Sequence, residues 1–268
     1  MEKNEMRPKT IDPFYLMFSL LGGIVLLFVV APLAGMFWNV SPADLNGALI
    51  DSEVQSSIFL TVFSSMAATL IFAIPAIPLA YLLARFKFPL KRLVTGIIEM
   101  PVVIPHSAAG IALLGMLTRD TLLGKTAGFF GLQFVGGALG IMMAMAFVSL
   151  PFLINAARDG FAAVPERLEK AALNLGASRL RVFFTIALPL ALRSIISGLI
   201  LMFGRGMSEF GAVVIITYHP MITPILIYER FGAFGLKYAR PVAVLFIMIC
   251  LVFFILLRLI SREKDGDT

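Results

Sequence analysis

The chain has 268 residues, of which 59% are hydrophobic and 14% are charged, and its formal net charge is +6. Soluble domains carry about 25% charged residues, so this composition excludes an ordinary soluble domain and favours a single membrane domain over residues 1–268. The basic residues lie between apolar stretches rather than along one face, so we expect membrane lipid and not nucleic acid around the chain. The single cysteine, Cys250, has no second cysteine for a disulfide and no metal-site spacing.

Six apolar stretches are long enough to cross a membrane as helices, which requires about 20 residues each. They predict spans at about 14–38, 56–84, 95–118, 134–157, 188–217 and 239–260. The first lies in an uncharged stretch from Pro13 to Ala43, much longer than the apolar region of a signal peptide (about 7–15 residues), so we interpret it as a retained transmembrane helix. The predicted fold class is all-α, a polytopic membrane bundle of six transmembrane helices.

Lysine and arginine are unevenly distributed over the segments that connect these spans. Fifteen lie in the two tails and in the connections after spans two and four, and five lie in the other three connections. The first group is Lys3, Arg7, Lys9, Arg85, Lys87, Lys91, Arg92, Arg158, Arg167, Lys170, Arg179, Arg181, Arg258, Arg262 and Lys264, and the second is Arg119, Lys125, Arg230, Lys237 and Arg240. Because cytoplasmic loops are rich in these residues, we predict a multi-pass cell-membrane protein with both termini in the cytoplasm.

Prolines interrupt the second, third and fourth spans at positions 75, 78, 101, 105 and 151. Each removes a backbone donor and kinks its helix, and in membranes neighbouring groups or water compensate the freed carbonyls. The stretch Met100-Pro-Val-Val-Ile-Pro-His-Ser107 combines two prolines with a histidine and a serine, and it predicts a bent helix that lines a path. No internal repeat is visible in the sequence, so the inverted repeats of many secondary transporters find no support.

The connection from Arg158 to Arg181 has the signals of a helix, a glycine turn and a second helix. Pro165 suits the first helical position, and the acidic Glu166 and Glu169 complement the positive end of the helix dipole. An apolar stripe follows at Leu168, Ala171, Ala172 and Leu175. Gly176 then suits a C-terminal cap, and Ser178 can cap the next helix. A helix lying on the lipid surface is the alternative, but a stripe that is half alanine favours docking into a protein groove.

This connection resembles a known signature. Lys170-Ala-Ala-x-x-x-Gly176, followed after nine residues by Ile186-x-Leu188-Pro189, is similar to the cytoplasmic E-A-A-x3-G-x9-I-x-L-P signature of ABC importer permeases. The resemblance extends over about residues 55–260, and it departs from the family at Lys170, where glutamate is usual. It implies a coupling helix between the fourth and fifth spans, seated in a cytoplasmic ATPase subunit. The implied coupling residues are Glu166, Leu168, Glu169, Lys170, Ala171, Ala172, Leu175 and Gly176.

Two further stretches resemble permeases for tetrahedral oxyanions: Met100–Ser107 and Arg205-Gly-Met-Ser-Glu-Phe-Gly-Ala212. The continuation from Val213 to Arg230 is similar to archaeal molybdate/tungstate permeases, and a sulfate or thiosulfate permease is the nearest alternative. The family implies alternating access in a complex with a second copy of the chain, cytoplasmic ATPase subunits and an extracytoplasmic oxyanion-binding protein. It also implies that ATP and Mg bind to the ATPase and that no cofactor binds to this chain.

Some side chains in the spans are candidates for the path, because an oxyanion path uses backbone N–H groups at broken helices, hydroxyls and diffuse positive potential. The candidates are Pro105, His106, Ser107 and Ser208. Alternatively, either serine forms a hydrogen bond within its own helix or to a neighbouring helix. For His106 the alternative is a structural role, a hydrogen bond between packed helices. Arg205 and Glu209 are charges within a span, but at i, i+4 spacing they can neutralise each other, so we favour a structural pair. Two isolated histidines predict no metal site.

Other function classes lack their sequence signals. An intramembrane metalloprotease would need a motif such as H-E-x-x-H, and a chain that hydrolyses ATP would need a Walker A loop; the sequence has neither, so we expect no catalytic residues. An ion-coupled transporter or channel is a further alternative, which would need acidic residues within spans, and only Glu209 supports it.

Overall fold

The computed structural model describes residues 13–262, with side chains described through residue 259. The basic residues predicted in the tails at positions 3, 7, 9 and 264 lie outside the described residues. The helices are α1 (Pro13–Trp38), α2 (Pro42–Ile50), α3 (Ser52–Arg85), α4 (Lys91–Val103), α5 (His106–Leu117), α6 (Leu122–Phe129), α7 (Ala138–Ala163), α8 (Glu166–Asn174), α9 (Arg179–Val182), α10 (Leu188–Met207), α11 (Gly211–Ile216), α12 (Thr223–Phe234) and α13 (Leu236–Arg262). A π-helical turn, Phe183–Ala187, joins α9 to α10.

Five helical stretches within residues 13–262 are long and apolar enough to cross a membrane. They are α1, α3, α7, the continuous stretch Arg179–Met207 and Leu236–Leu259 within α13. These correspond to the predicted first, second, fourth, fifth and sixth spans, with ends that differ by several residues. The all-helical membrane architecture therefore agrees with the sequence prediction, whereas the count of six depends on the third span.

The third predicted span, 95–118, is not one helix. It consists of α4 and α5, which meet at an angle of 112°. Pro105 accounts for the break, because a proline disfavours the helical conformation in the preceding residue, and Ile104 is extended with φ −73° and ψ 149°. The bend expected in this stretch is present, but it is sharp enough that the pair is either a broken span or a re-entrant loop.

The fifth predicted span, 188–217, is also divided. Its helix begins earlier, at Arg179, and ends at Met207, and the short α11 follows after a break. The Glu209 side chain accepts a hydrogen bond from the Ala212 backbone N–H at 2.9 Å, so it caps the new helix instead of continuing the old one. Phe210, with φ −124° and ψ −54°, lies outside helical geometry. Glu209 is therefore at a break and not inside an unbroken helix.

Small residues allow the central helices to approach each other closely. A Cβ on Gly160 of α7 would lie 2.4 Å from Ser194 Cβ, and a Cβ on Gly198 of α10 would lie 2.9 Å from Ala156 Cβ. The crossing of α7 with α10 thus has a small residue every fourth position on both sides, which is a common way for membrane helices to pack. The main core is built around α3, α7 and α10.

The two ends of the bundle are marked by the ends of α3. At about 1.5 Å per residue, the 34 residues of α3 span roughly 50 Å. We call the end where α3 begins the α2 end and the end where it stops, at Arg85, the α8 end. Arg230 of α12 lies 2.8 Å from Asp51 and 2.9 Å from Glu53 at the α2 end, and α8 is attached at the other.

Candidate functional site: an exposed helix at one end and a polar patch at two helix breaks

The segment around α8 has the helix, glycine turn and second helix that the sequence predicts. Gly176 has φ +88°, a conformation that favours glycine, and it ends α8 as its N–H donates to the Leu173 carbonyl at 3.0 Å. The Ser178 hydroxyl accepts from the Arg181 N–H at 3.3 Å and caps α9. Pro165 precedes the first helical residue instead of being the first one, a difference of one position at a helix end.

The apolar stripe of α8 is mostly exposed. Leu168 and Ala171 are exposed, Ala172 is half-buried, and 89% of Leu175 is accessible. Because these leucines of α8 are exposed, they do not contribute to the core of this chain. They leave a surface of leucine and alanine side chains at the α8 end of the bundle.

The two candidate residues at the signature's first position, Glu169 and Lys170, point in different directions from α8. Lys170 is exposed and donates to Glu166 at 2.8 Å, and this hydrogen bond lowers the pKa of the Glu166 carboxyl. Glu169 is 7% exposed and contacts the end of α3, where Tyr81 and Arg85 bind its carboxylate. Sequence reasoning missed Tyr81 and Arg85, although a tyrosine and an arginine one turn apart at the end of a span were a visible signal.

The two helix breaks lie side by side because glycines remove the side chains between them. A Cβ on Gly211 would lie 2.8 Å from His106 Cβ, and a Cβ on Gly110 would lie 2.8 Å from the Ala212 carbonyl oxygen. Helices α5 and α11 therefore pack with their backbones nearly in contact. Their packing brings Pro105, His106 and Ser107, three of the path candidates, close to the break after α10.

A charged cluster occupies the junction of the breaks. Glu209 is fully buried, and its Oε2 lies 3.0 Å from Arg205 Nη2 and 3.1 Å from His106 Nδ1, without the geometry of a hydrogen bond in either contact. Arg205 Nη2 is 2.9 Å from both ring nitrogens of His106. The guanidinium therefore contacts the imidazole through one nitrogen, Nη2, within hydrogen-bonding distance of both ring nitrogens.

The cluster opens onto the surface on the side of Arg205 and His106. The side chains of Arg205 and His106 are 24% and 34% exposed, and Pro105, Ser107 and Ser208 are exposed. Arg205 Nη1 lies 3.4 Å from the Ser208 hydroxyl. We call Arg205, His106, Ser107 and Ser208 the break patch. Charged and hydroxyl groups are costly in lipid, so the break patch favours water or protein as its surroundings.

Among residues 13–262, the structure contains no group of three or more histidine, cysteine, aspartate or glutamate side chains placed to hold a metal ion. Next to the break patch, the Glu209 carboxylate contacts the guanidinium of Arg205 and the imidazole of His106.

The family follows from a comparison with known proteins. The model described as "Binding-protein-dependent transport system inner membrane component" matches residues 76–265. The chain belongs to this family. The matched part of the permease contains α8 and both helix breaks, and the resemblance seen in the sequence is confirmed.

Relatives with curated names are similar over most of the permease. It is 41% identical to the molybdate/tungstate transport system permease protein of Methanocaldococcus jannaschii, over 90% of this chain and 94% of the relative. It is 39% identical to the protein of the same name from Thermococcus kodakarensis, over 93% and 97%. The sulfate transport system permease protein of Synechocystis is more distant, at 26% identity over 89% and 86%.

Solved structures share the fold of the permease at low sequence identity. A chain of a bacterial ABC transporter that imports the acidic polysaccharide alginate has a TM-score of 0.72 at 18% identity, over 94% of this chain and 96% of that chain. A chain of the MetNI methionine ABC transporter has a TM-score of 0.56 at 14% identity, over 80% and 97%. At these identities the similarity establishes the fold.

Proposed function

We propose that this permease is the membrane-spanning subunit of an ATP-driven importer of molybdate or tungstate that works by alternating access. The single observation that carries the transport mechanism is the exposed apolar side of α8, with Leu175 89% accessible, at the end of a membrane bundle. The oxyanion is supported by the names of relatives that are 39–41% identical over at least 90% of the chain. A sulfate permease is the second candidate, favoured by the relative at 26% identity.

The α8 end is the cytoplasmic end in this proposal. It carries the basic residues of the connections after α3 and α7, as expected of cytoplasmic loops, and both termini lie on the same side. Leu168, Leu175 and the two alanines between them dock into a cytoplasmic ATPase subunit. ATP and Mg bind to that subunit and not to this chain. In this proposal the permease itself has no catalytic residues.

The break patch lines the translocation path in this proposal. A second copy of the chain covers the patch, with the path between the two copies, because charged groups at membrane depth need water or protein around them. The α4 and α5 pair then supplies the sixth crossing. Glu209 offsets the charge of Arg205, so the attraction for an oxyanion is weak enough to allow release. A binding protein delivers the anion at the α2 end.

The test of ATPase docking compares two glycines that have the same backbone conformation and lie at opposite ends of the helix bundle. Gly176 and Gly131 have φ of +88° and +70° and open space around a Cβ, and each N–H donates one hydrogen bond of 3.0 Å. Proline fits neither, because its φ is fixed near −65° and it lacks the N–H. We expect Gly176→Pro to lose co-purification with the ATPase and Gly131→Pro to retain it. Equal retention by both variants contradicts docking through α8.

Substrate identity needs a separate measurement. Uptake of radiolabelled molybdate into proteoliposomes that contain the permease, its ATPase and its binding protein is measured against unlabelled molybdate, tungstate and sulfate. We expect tungstate to compete and sulfate to fail at the same concentration. Competition by sulfate as strong as that by molybdate favours the sulfate permease instead.

A further inference from the structure

Helix α8 is attached to the rest of the chain by few side chains. Of its nine residues, Glu169 is the one that is buried among the residues that the structure describes. At its C-terminal end, a Cβ on Gly176 would have nothing within 4 Å, so no side chain packs against the turn at that position. The position of α8 relative to the bundle therefore depends mainly on the contacts of Glu169.

Glu169 makes that contact with both carboxylate oxygens. Oε1 accepts from Arg85 Nε at 2.8 Å and also from Arg85 Nη2, and Oε2 accepts from the Tyr81 hydroxyl at 2.7 Å. The side chains of Arg85 and Glu169 are each 9% exposed. Charge-assisted hydrogen bonds of this kind are short and directional, so the carboxylate has one position relative to the end of α3.

The same groups also bind the neighbouring helices. Arg85 Nη2 donates to the Val164 carbonyl at the end of α7 at 3.0 Å. The Tyr81 ring packs edge-on against Phe161 of α7 and Phe183 of the π-helical turn, with centroid distances of 5.3 Å and 5.1 Å. The end of α3 therefore connects α8 to α7 and to the start of the helix that ends at the break patch.

We propose that Glu169 is a positioning residue for energy coupling, which through Arg85 and Tyr81 makes α8 move as one body with the ends of α3 and α7 and the start of α10. The proposal rests on the proposed function, since it assumes that an ATPase moves α8. It assigns different roles to Glu169 and to Lys170, which stands where the resembled signature usually has glutamate. The neighbouring carboxylate faces inward and fixes the helix, while the lysine lies on the exposed side.

The test compares transport with ATP hydrolysis in the reconstituted complex. Glu169→Gln removes the charge and retains the size, and Asp159→Asn makes the equivalent change in an exposed pair with Arg158 at the same end. We expect the Glu169 variant to assemble and hydrolyse ATP, with molybdate transported per ATP lower by about fivefold or more, as for other allosteric couplings. Asp159→Asn should have the wild-type ratio.

The outcomes separate coupling from simple stability. A Glu169→Gln complex that melts at a lower temperature but transports at the wild-type ratio overturns the proposal. If this variant does not assemble, Tyr81→Phe decides: it removes one hydrogen bond and retains the ring packing, so a lower ratio supports the proposal and an unchanged ratio overturns it. If the wild-type chain neither binds nor stimulates an ATPase, the proposed function itself is wrong.

Discussion

The close crossing of α7 with α10 makes a quantitative prediction for Gly160→Ala. The added Cβ lies 2.4 Å from Ser194 Cβ, whereas carbon atoms in contact are about 3.5–4.0 Å apart. Ser194 Cβ is attached directly to its backbone and has no rotamer that avoids the clash, so the two helices must separate by about 1 Å or more. Overpacking of this kind costs about 1–3 kcal/mol.

The cost is measured as a change in thermal stability in detergent. About 1 kcal/mol shifts the melting temperature by roughly 2–4 °C for 150–250 residues, so we expect Gly160→Ala to melt about 2–12 °C lower. Unfolding is followed by the reaction of Cys250, the single cysteine of the chain, with a fluorogenic maleimide. Because that thiol is half-buried in α13, its labelling reports loss of the folded bundle.

The matched control is the same substitution at a helical glycine with free space. Gly232 lies inside α12, and a Cβ there would have nothing within 4 Å. Alanine is favoured over glycine in helices by about 0.5–1 kcal/mol, so Gly232→Ala should melt at the wild-type temperature or slightly above it. If Gly160→Ala has the same melting temperature as Gly232→Ala, the α7 and α10 crossing is not as tight as the distances indicate.

Three further predictions concern charge and exposure. Glu209→Gln leaves Arg205 without its carboxylate and should destabilise the chain by about 3 kcal/mol, the lower end for a broken buried pair, as measured by thermal unfolding. Burial raises the pKa of the Asp51 carboxyl, but hydrogen bonds from Arg230 and two backbone N–H groups outweigh it, so the pKa is lowered in the folded state. Its contribution to stability is therefore present above the ordinary pKa near about 4 and lost as the pH falls through the lower folded value, and Asp51→Asn should reduce the acid dependence of unfolding there. Leu175→Asp should abolish co-purification with the ATPase, because it places a charge on the proposed docking surface.

Controls for these predictions use exposed residues. Asp120 is exposed near the α2 end, and Asp120→Asn should change neither the melting temperature nor its acid dependence. Leu122 is exposed near the same end, and Leu122→Asp should leave ATPase binding intact. Loss of ATPase binding in both leucine variants would contradict a docking surface confined to the α8 end, and equal melting of Glu209→Gln and Asp120→Asn would contradict the buried pair.

Part of this structure follows from local sequence. The apolar length of a span depends only on composition, so α1, α3, α7 and α13 lie within several residues of their predicted positions, whereas the fifth predicted span, 188–217, already ends at Met207. The helix and glycine turn around α8 also follow from neighbouring residues, since Gly176 and Ser178 act on the backbone within a few positions. The proline at 105 predicts a bend for the same reason.

The angle between α4 and α5 and the break after Met207 are decided by contacts between residues that are distant in the sequence. An angle of 112° is compatible with the fold because α5 packs against α11, which requires glycine at 110 and 211 on two different spans. Glu209 looks like one member of an i, i+4 pair in the sequence. In the structure it also caps α11 and contacts His106 from another helix, so its environment has three parts.

The sequence by itself determines that this is a helical membrane protein with a helix–glycine–helix segment, because apolar length and helix caps are local properties of the chain. The ABC importer permease type follows from the resemblance of that segment to the family signature. The tertiary structure decides which side of α8 faces the bundle. A step of one residue turns a helix by about 100°, so Glu169 and Lys170 point in different directions, and the partner that selects Glu169 is Arg85, 84 positions away.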